Sequence, residues 1–213
     1  MKKQLHIFIS SFIAGIMIVI GATFYLMTKE KNAIVGSLFF ALGLFTIIHY
    51  KLHLYTGKVG FLLDNKKNYL LDLLTCIIGN IIGVIILSSI IKLSRIGDTL
   101  EMISKPIVSL KQNDNLLSIF IMSFMCGIMI YLAVIGHRDC EYSLGKVLFC
   151  FISISIFIIC GFDHCIANAV YYTYAQEFNI NVILYFIVMI IGNGIGSISF
   201  DFLLKLYNKT KIE

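Results

Sequence analysis

An aspartate, a histidine and an asparagine break into residues 147–174, a run otherwise dominated by Ile, Phe, Val, Tyr and small side chains. The order is Gly161, Phe162, Asp163, His164, Cys165, Ile166, Ala167, Asn168. An ionisable ring in such a block is costly in hydrocarbon, so it belongs on an interior path or against a fixed partner. Imidazole changes charge near neutral pH and can take up or release a proton, with Asp163 beside it to orient it. A second interruption, His53, Leu54, Tyr55, Thr56, Gly57, Lys58, falls within residues 33–63. It offers a hydroxyl, a glycine able to take positive φ and two groups that can be cationic. Thr56 and freed backbone N–H groups would form a small donor cluster, which suits an anion because helix N-termini carry partial positive charge. Each interruption also has a plainer reading. His164 could be satisfied by a backbone carbonyl and simply join two helices, and residues 53–58 could be a surface turn with a solvated Lys58.

Other chemistry finds little support. Cys160, Asp163, His164 and Cys165 match no paired zinc spacing, and neighbours on one helix point in different directions. No phosphate loop, nucleophile paired with a base, or dinucleotide fingerprint is present, so the reading is of a protein that is not an enzyme and uses no cofactor and no metal. The six cysteines lie mostly inside apolar blocks, as small buried hydrophobes do. The net charge of +5 is scattered over loops and ends with no basic stripe interleaved with aromatics, which argues against nucleic acid as a partner.

The elements that must position these residues are membrane helices. The chain is 59% hydrophobic and 14% charged, too apolar for a surface facing water. A hydrocarbon core of about 30 Å takes roughly 20 apolar residues of helix. Six segments qualify, residues 5–27, 33–63, 73–91, 116–136, 147–174 and 180–200, within a single domain over 1–213. The first is long enough to span and is expected to stay in the mature protein rather than act as a cleaved signal. The second and fifth are too long for one crossing and carry the interruptions at their middles. A broken helix exposes backbone groups that lipid cannot satisfy, so two breaks imply one shared interior cavity.

The halves also match. Residues 12–18, FIAGIMI, align with 124–130, FMCGIMI, and Gly79-Asn80-x-x-Gly83 aligns with Gly192-Asn193-x-x-Gly196. At a separation of 112 residues, His53 to Gly57 falls opposite Cys165 to Ala169. Three crossings per half force the copies to insert in opposite directions. Basic residues favour cytoplasmic N- and C-termini, with Lys2, Lys3, Lys66, Lys67, Arg138, Lys146, Lys205, Lys209 and Lys211 on that side. The connection from Lys92 to Lys111, which holds the sole proline, Pro106, reads as a short surface helix.

Residues 161–168 resemble the Gly-Phe-Glu-His-Ser-x-Ala-Asn signature of the formate/nitrite transporter family, whose members include hydrosulfide and lactate channels. Leu54-Tyr55-Thr56-Gly57 resembles that family's Leu-Phe-Thr-Gly loop, and the two Gly-Asn-x-x-Gly motifs resemble its third and sixth helices. The resemblance implies an aquaporin-like, all-α fold of six transmembrane helices with the second and fifth broken, and a homopentamer in which each protomer has its own pore. It makes His164 the central pore histidine and Thr56 the hydroxyl facing it. Asn168 would hold the histidine region, Lys111 would draw anions toward the pore, and Leu54, Tyr55 and Phe162 would be constriction candidates. The chain departs from the pattern at His53, where Glu is usual, at Lys58 for Asn, at Asp163 for Glu and at Gly127 for Asn. A proline usual after the fifth-segment motif is missing.

The expected function is passage of a small monovalent anion of a weak acid, with proton coupling through His164, across the cytoplasmic membrane. Lys111, Lys58 and His53 would concentrate the anion, and Thr56 would orient it. A channel for ammonia or another small neutral solute, and a scaffold or sensor that transports nothing, remain as rivals.

Overall fold

The computed structural model describes residues 2–66 and 68–210, and all regular structure among them is helical. Lys67 and Lys211, counted above with the cytoplasmic basic residues, lie outside the described residues. The order is α1 (Lys2–Thr28), α2 (Ala33–His49), α3 (Tyr55–Lys58) continued by a 3-10 turn (Val59–Asp64), and α4 (Tyr69–Lys92). There follow α5 (Gly97–Gln112), α6 (Leu116–Asp139), α7 (Ser143–Ile159), α8 (Cys165–Ala175) and α9 (Ile180–Lys209). Four of these, α1, α4, α6 and α9, are long and apolar enough to cross a membrane, while α2 and α7 are apolar helices of 17 residues. Outward faces are rich in exposed Leu, Ile and Phe, as a lipid-facing surface would be.

The long second and fifth segments are indeed each split. Helix α2 stops at His49 and α7 at Ile159, and the chain restarts as a helix at Tyr55 and Cys165. The two stops are built alike. Backbone N–H groups of Leu52 and Phe162 return to the carbonyls of Ile47 and Phe157, at 2.9 Å in both, and Lys51 and Gly161 both take positive φ, 55° and 71°. Thr56 to Lys58 and Asn168 lie just inside the restarted helices rather than in the gaps.

Helix α1 packs along α4, and α6 along α9, at distances that only glycine permits. A Cβ on Gly15 would lie 2.3 Å from the Asn80 carbonyl oxygen, and one on Gly127 2.3 Å from that of Asn193. The repeat is therefore physical as well as textual, but its register shifts along the chain. Ser11 and Ser123, 112 residues apart, bond equivalently to Ile7 and Ile119, and Asn80 and Asn193 are 113 apart. At the breaks, however, Tyr55 is equivalent to Cys165, a separation of 110. The pairing of His53–Gly57 with Cys165–Ala169 is thus corrected by two residues, because α6 ends one residue sooner than α1 and the α6–α7 connection is one residue shorter than the α1–α2 connection.

The connection after α4 is a 16-residue amphipathic helix, α5, with Pro106 inside it. It packs on α8 and carries Lys111 to the second break.

Candidate functional site

The freed backbone of each break is held by one buried asparagine. The Asn80 amide nitrogen donates to the carbonyls of Ser11 (2.8 Å) and His53 (2.9 Å), and its oxygen accepts from the Tyr55 N–H (3.0 Å). Asn193 repeats the pattern with the carbonyls of Ser123 (2.8 Å) and Asp163 (2.7 Å) and the Cys165 N–H (2.9 Å). Both side chains are fully buried. A broken helix inside a membrane needs such partners, since no water is there to serve instead. Neither asparagine was singled out from sequence beyond its motif. Their signal is a polar residue recurring at the same place in two apolar spans.

With the ends fixed, the starts of α3 and α8 meet. The Thr56 hydroxyl oxygen lies 2.8 Å from His164 Nε2, and both residues are 1% exposed. His164 is also the N-cap of α8, its Nδ1 accepting the Ala167 N–H at 3.0 Å. A neutral imidazole has one donor and one acceptor nitrogen. Because Nδ1 accepts, the proton sits on Nε2, Thr56 accepts it, and the threonine's own hydroxyl proton is left to point elsewhere. Phe157 stacks on the imidazole, with centroids 5.8 Å apart and planes 20° apart, and fixes the ring's orientation.

Asp163 forms an ion pair with Lys111, whose side chain is 14% exposed against 3% for the aspartate. Asn168 donates to the same carboxylate oxygen (3.3 Å) and to the His164 carbonyl (3.0 Å). Lys111, Asp163, Asn168 and His164 are thus brought together, with the lysine's charge balanced by the aspartate. Tyr55 is held against α9, its hydroxyl donating to the Ile190 carbonyl at 3.0 Å. His53 has its Nδ1 3.0 Å from the Ser10 hydroxyl and its ring edge-on to His6. Phe162 is half-buried at the second break. Among the described residues no three of His, Cys, Asp and Glu converge as a metal site.

On the side of the α6 C-terminus and the α7 N-terminus a recess of about 560 Å3 leads down to Leu54, which is 3% exposed. Lys58 lines it, together with residues that sequence reasoning did not assign to any site: Lys51, Lys146, His49, His137 and Arg138. These come from four separate elements, so only the fold assembles them. Among the described residues no carboxylate lines the recess.

A family model described as formate/nitrite transporter matches residues 1–207. The chain belongs to the formate/nitrite transporter family. Among curated proteins of that family, the formate channel FocB of Escherichia coli (strain K12) is 25% identical over 186 residues, a match covering 78% of this chain and 65% of the relative. The aligned part is therefore just under two thirds of that relative's length. Two solved structures share the formate/nitrite transporter fold. One is described as a pentameric formate channel with formate bound, with TM-score 0.83, 23% identity and 99% of both chains covered. The other, an FNT family ion channel, has TM-score 0.79 and 17% identity over 96% of this chain and 89% of that one.

Proposed function

We propose that this protein passes a small monovalent anion of a weak acid, of the formate, nitrite or hydrosulfide kind, together with a proton across the cytoplasmic membrane. The supporting observation is the buried Thr56–His164 contact where two broken helices meet, below a recess lined by cations and closed by Leu54. A bare anion entering such a constriction loses hydration, a loss that favours its protonated form. Lys58 at the mouth raises the local anion concentration. The Thr56 hydroxyl, polarised by the Nε2–H of His164, donates to the anion, and the α8 N-terminus adds partial positive charge. Leu54 on one side and Phe162 on the other exclude water. Lys111 serves the second mouth through its pair with Asp163.

The hydrogen bonds also constrain the proton step. A neutral His164 cannot release its Nε2 proton without becoming an anion. Proton coupling through the ring therefore requires a second proton at Nδ1, and hence loss of the Ala167 bond that caps α8. The working cycle alternates a capped neutral ring with an uncapped cationic one.

In the same reading the whole chain is one transport unit. The six helices form two inverted three-helix repeats with both ends cytoplasmic, and five copies assemble with a pore in each. The cationic recess disfavours ammonium, and a pore for neutral solutes would have no use for it. Uptake of formate, nitrite, hydrosulfide, acetate and lactate into proteoliposomes at two pH values tests the proposal, with His164→Phe as the variant. Flux of at least one anion that rises as pH falls, and is lost or loses its pH dependence in the variant, supports it. Equal rates and equal pH dependence in parent and variant would remove the histidine from the mechanism.

A further inference from the structure

The two breaks are equivalent turn for turn, so the residues around them can be compared position by position. Around the first break the recess presents Lys51, Lys58, Lys146, Arg138, His49 and His137. In the register set by the shared hydrogen bonds, the equivalent positions of the other half hold Gly161, Asn168, Gly36, Leu26, Ile159 and Tyr25. None of those is charged. The fold is thus built once without these cations, and its architecture does not require them.

Lys51 makes the point most sharply. It occupies a left-handed turn, φ 55°, that its counterpart fills with glycine at φ 71°. Non-glycine residues are uncommon there, and such local strain is a pointer to function. Arg138 is engaged by Asp139 at 2.5 and 2.9 Å. Among the described residues, however, Lys51, Lys58 and Lys146 form no ion pair with a carboxylate. Three uncompensated ammonium groups around about 560 Å3 exceed what one small monovalent anion needs, since a water occupies only about 30 Å3 of liquid.

We infer that this recess is a binding site for a compact multivalent oxyanion carrying phosphoryl groups, held by Lys51, Lys58 and Lys146 and too large to pass Leu54. Ammonium groups bind phosphoryl oxygens as point charges and need no planar fork, so three lysines on separate elements can close on such a ligand. Binding stands independently of the transport reading. Its consequence, a plug acting from this side alone, rests on that reading.

Inorganic pyrophosphate is the probe. Calorimetric titration of the whole protein in detergent at low ionic strength is expected to show saturable binding, lost at about 1 M salt where the screening length falls to about 3 Å. Lys146→Gln and Lys51→Asn, the latter chosen because asparagine tolerates the left-handed turn, should each weaken it by roughly fivefold. Lys29→Gln, on the α1–α2 connection, should leave it unchanged. Melting of each variant without ligand checks that it folds. In oriented proteoliposomes, pyrophosphate on the recess side should slow formate uptake and pyrophosphate on the opposite side should not. Saturable binding with the expected variant pattern, but no flux of formate, nitrite, hydrosulfide, acetate or lactate in any preparation, upholds the site and removes the transport reading. Absence of saturable binding, or binding equally strong in both lysine variants, overturns the proposal. So does block of equal strength from either side.

Discussion

Asn80 and Asn193 make the same three hydrogen bonds in the two halves, each tying the last residue but one before a restarted helix, and that helix's first N–H, to the helix alongside. The breaks are therefore anchored from within the membrane-spanning bundle. The position of Thr56 relative to His164 follows from these two anchors.

Removing either amide strands the carbonyl of His53 or Asp163 and the N–H of Tyr55 or Cys165, while the Ser11 and Ser123 carbonyls keep their intrahelical bonds. At about 1–3 kcal/mol for each unsatisfied group, Asn80→Ala or Asn193→Ala is expected to destabilise the protein by at least about 2 kcal/mol. Thermal unfolding in detergent would show it as a large fall in midpoint. An unchanged midpoint for Asn193→Ala would mean that the clamp carries no structural weight.

Gly127 stands where the resembled family pattern has asparagine, and the packing predicts that this exchange is disfavoured here. A Cβ would lie 2.3 Å from the Asn193 carbonyl oxygen and 3.0 Å from the Ser197 nitrogen, both backbone atoms. Helices α6 and α9 would have to move apart. Gly127→Ala is expected to cost on the order of 2–3 kcal/mol, and Gly127→Asn more. Size-exclusion profiles and melting of the two variants check this, and a Gly127→Asn protein as stable as the parent would refute the close approach.

How much of this was readable beforehand depended on whether the signal was local. Helical spans follow from runs of apolar residues, and the interruptions at His53 and His164 were visible because a charge in such a run has no local excuse. The repeat was visible too, but a register read from the best-matching motifs slipped by two residues at the breaks, since loop lengths differ between halves. The facing of Thr56 and His164 came from family resemblance, not from spacing. Convergence of Lys51, Lys146, His137 and Arg138 on one recess joins residues up to 95 positions apart, and no local pattern encodes it. Lys111 looked like a free anion attractor, whereas its pairing with Asp163 became apparent only once α5 was seen to pack on α8.

Glu101, on the surface helix α5, gives a pH signature separate from the pore. Lys105 and then Lys92 hold its carboxyl down to about 2, from an ordinary value of 4.5, with both ammonium groups at 2.6 Å. A carboxyl whose folded value is depressed stabilises the fold above its unfolded value and loses that contribution as pH falls toward the folded one. The melting midpoint should therefore be insensitive to this group from pH 7 to about 5, then fall between about 4.5 and 2. Glu101→Gln should lack that portion of the fall, and high salt should shrink it in the parent. Identical acid profiles for parent and variant would show the pair to be without effect on stability.

The sharpest test of the central pair separates hydroxyl from shape. Because His164 Nδ1 is committed to the Ala167 N–H, Nε2–H must donate to Thr56, and the threonine proton is left for another acceptor, which in the proposed function is the passing anion. Thr56→Val keeps the volume but removes both acceptor and donor, and leaves a buried ring N–H unpaired at about 1–3 kcal/mol. Thr56→Ser retains both functions and loses only a methyl group. Formate flux is expected to fall at least about tenfold in the valine variant, equivalent to about 1.4 kcal/mol at the barrier, and to stay within about threefold in the serine variant. Should valine conduct as well as serine, the hydroxyl is a packing group, and the donor chain from imidazole to anion does not exist.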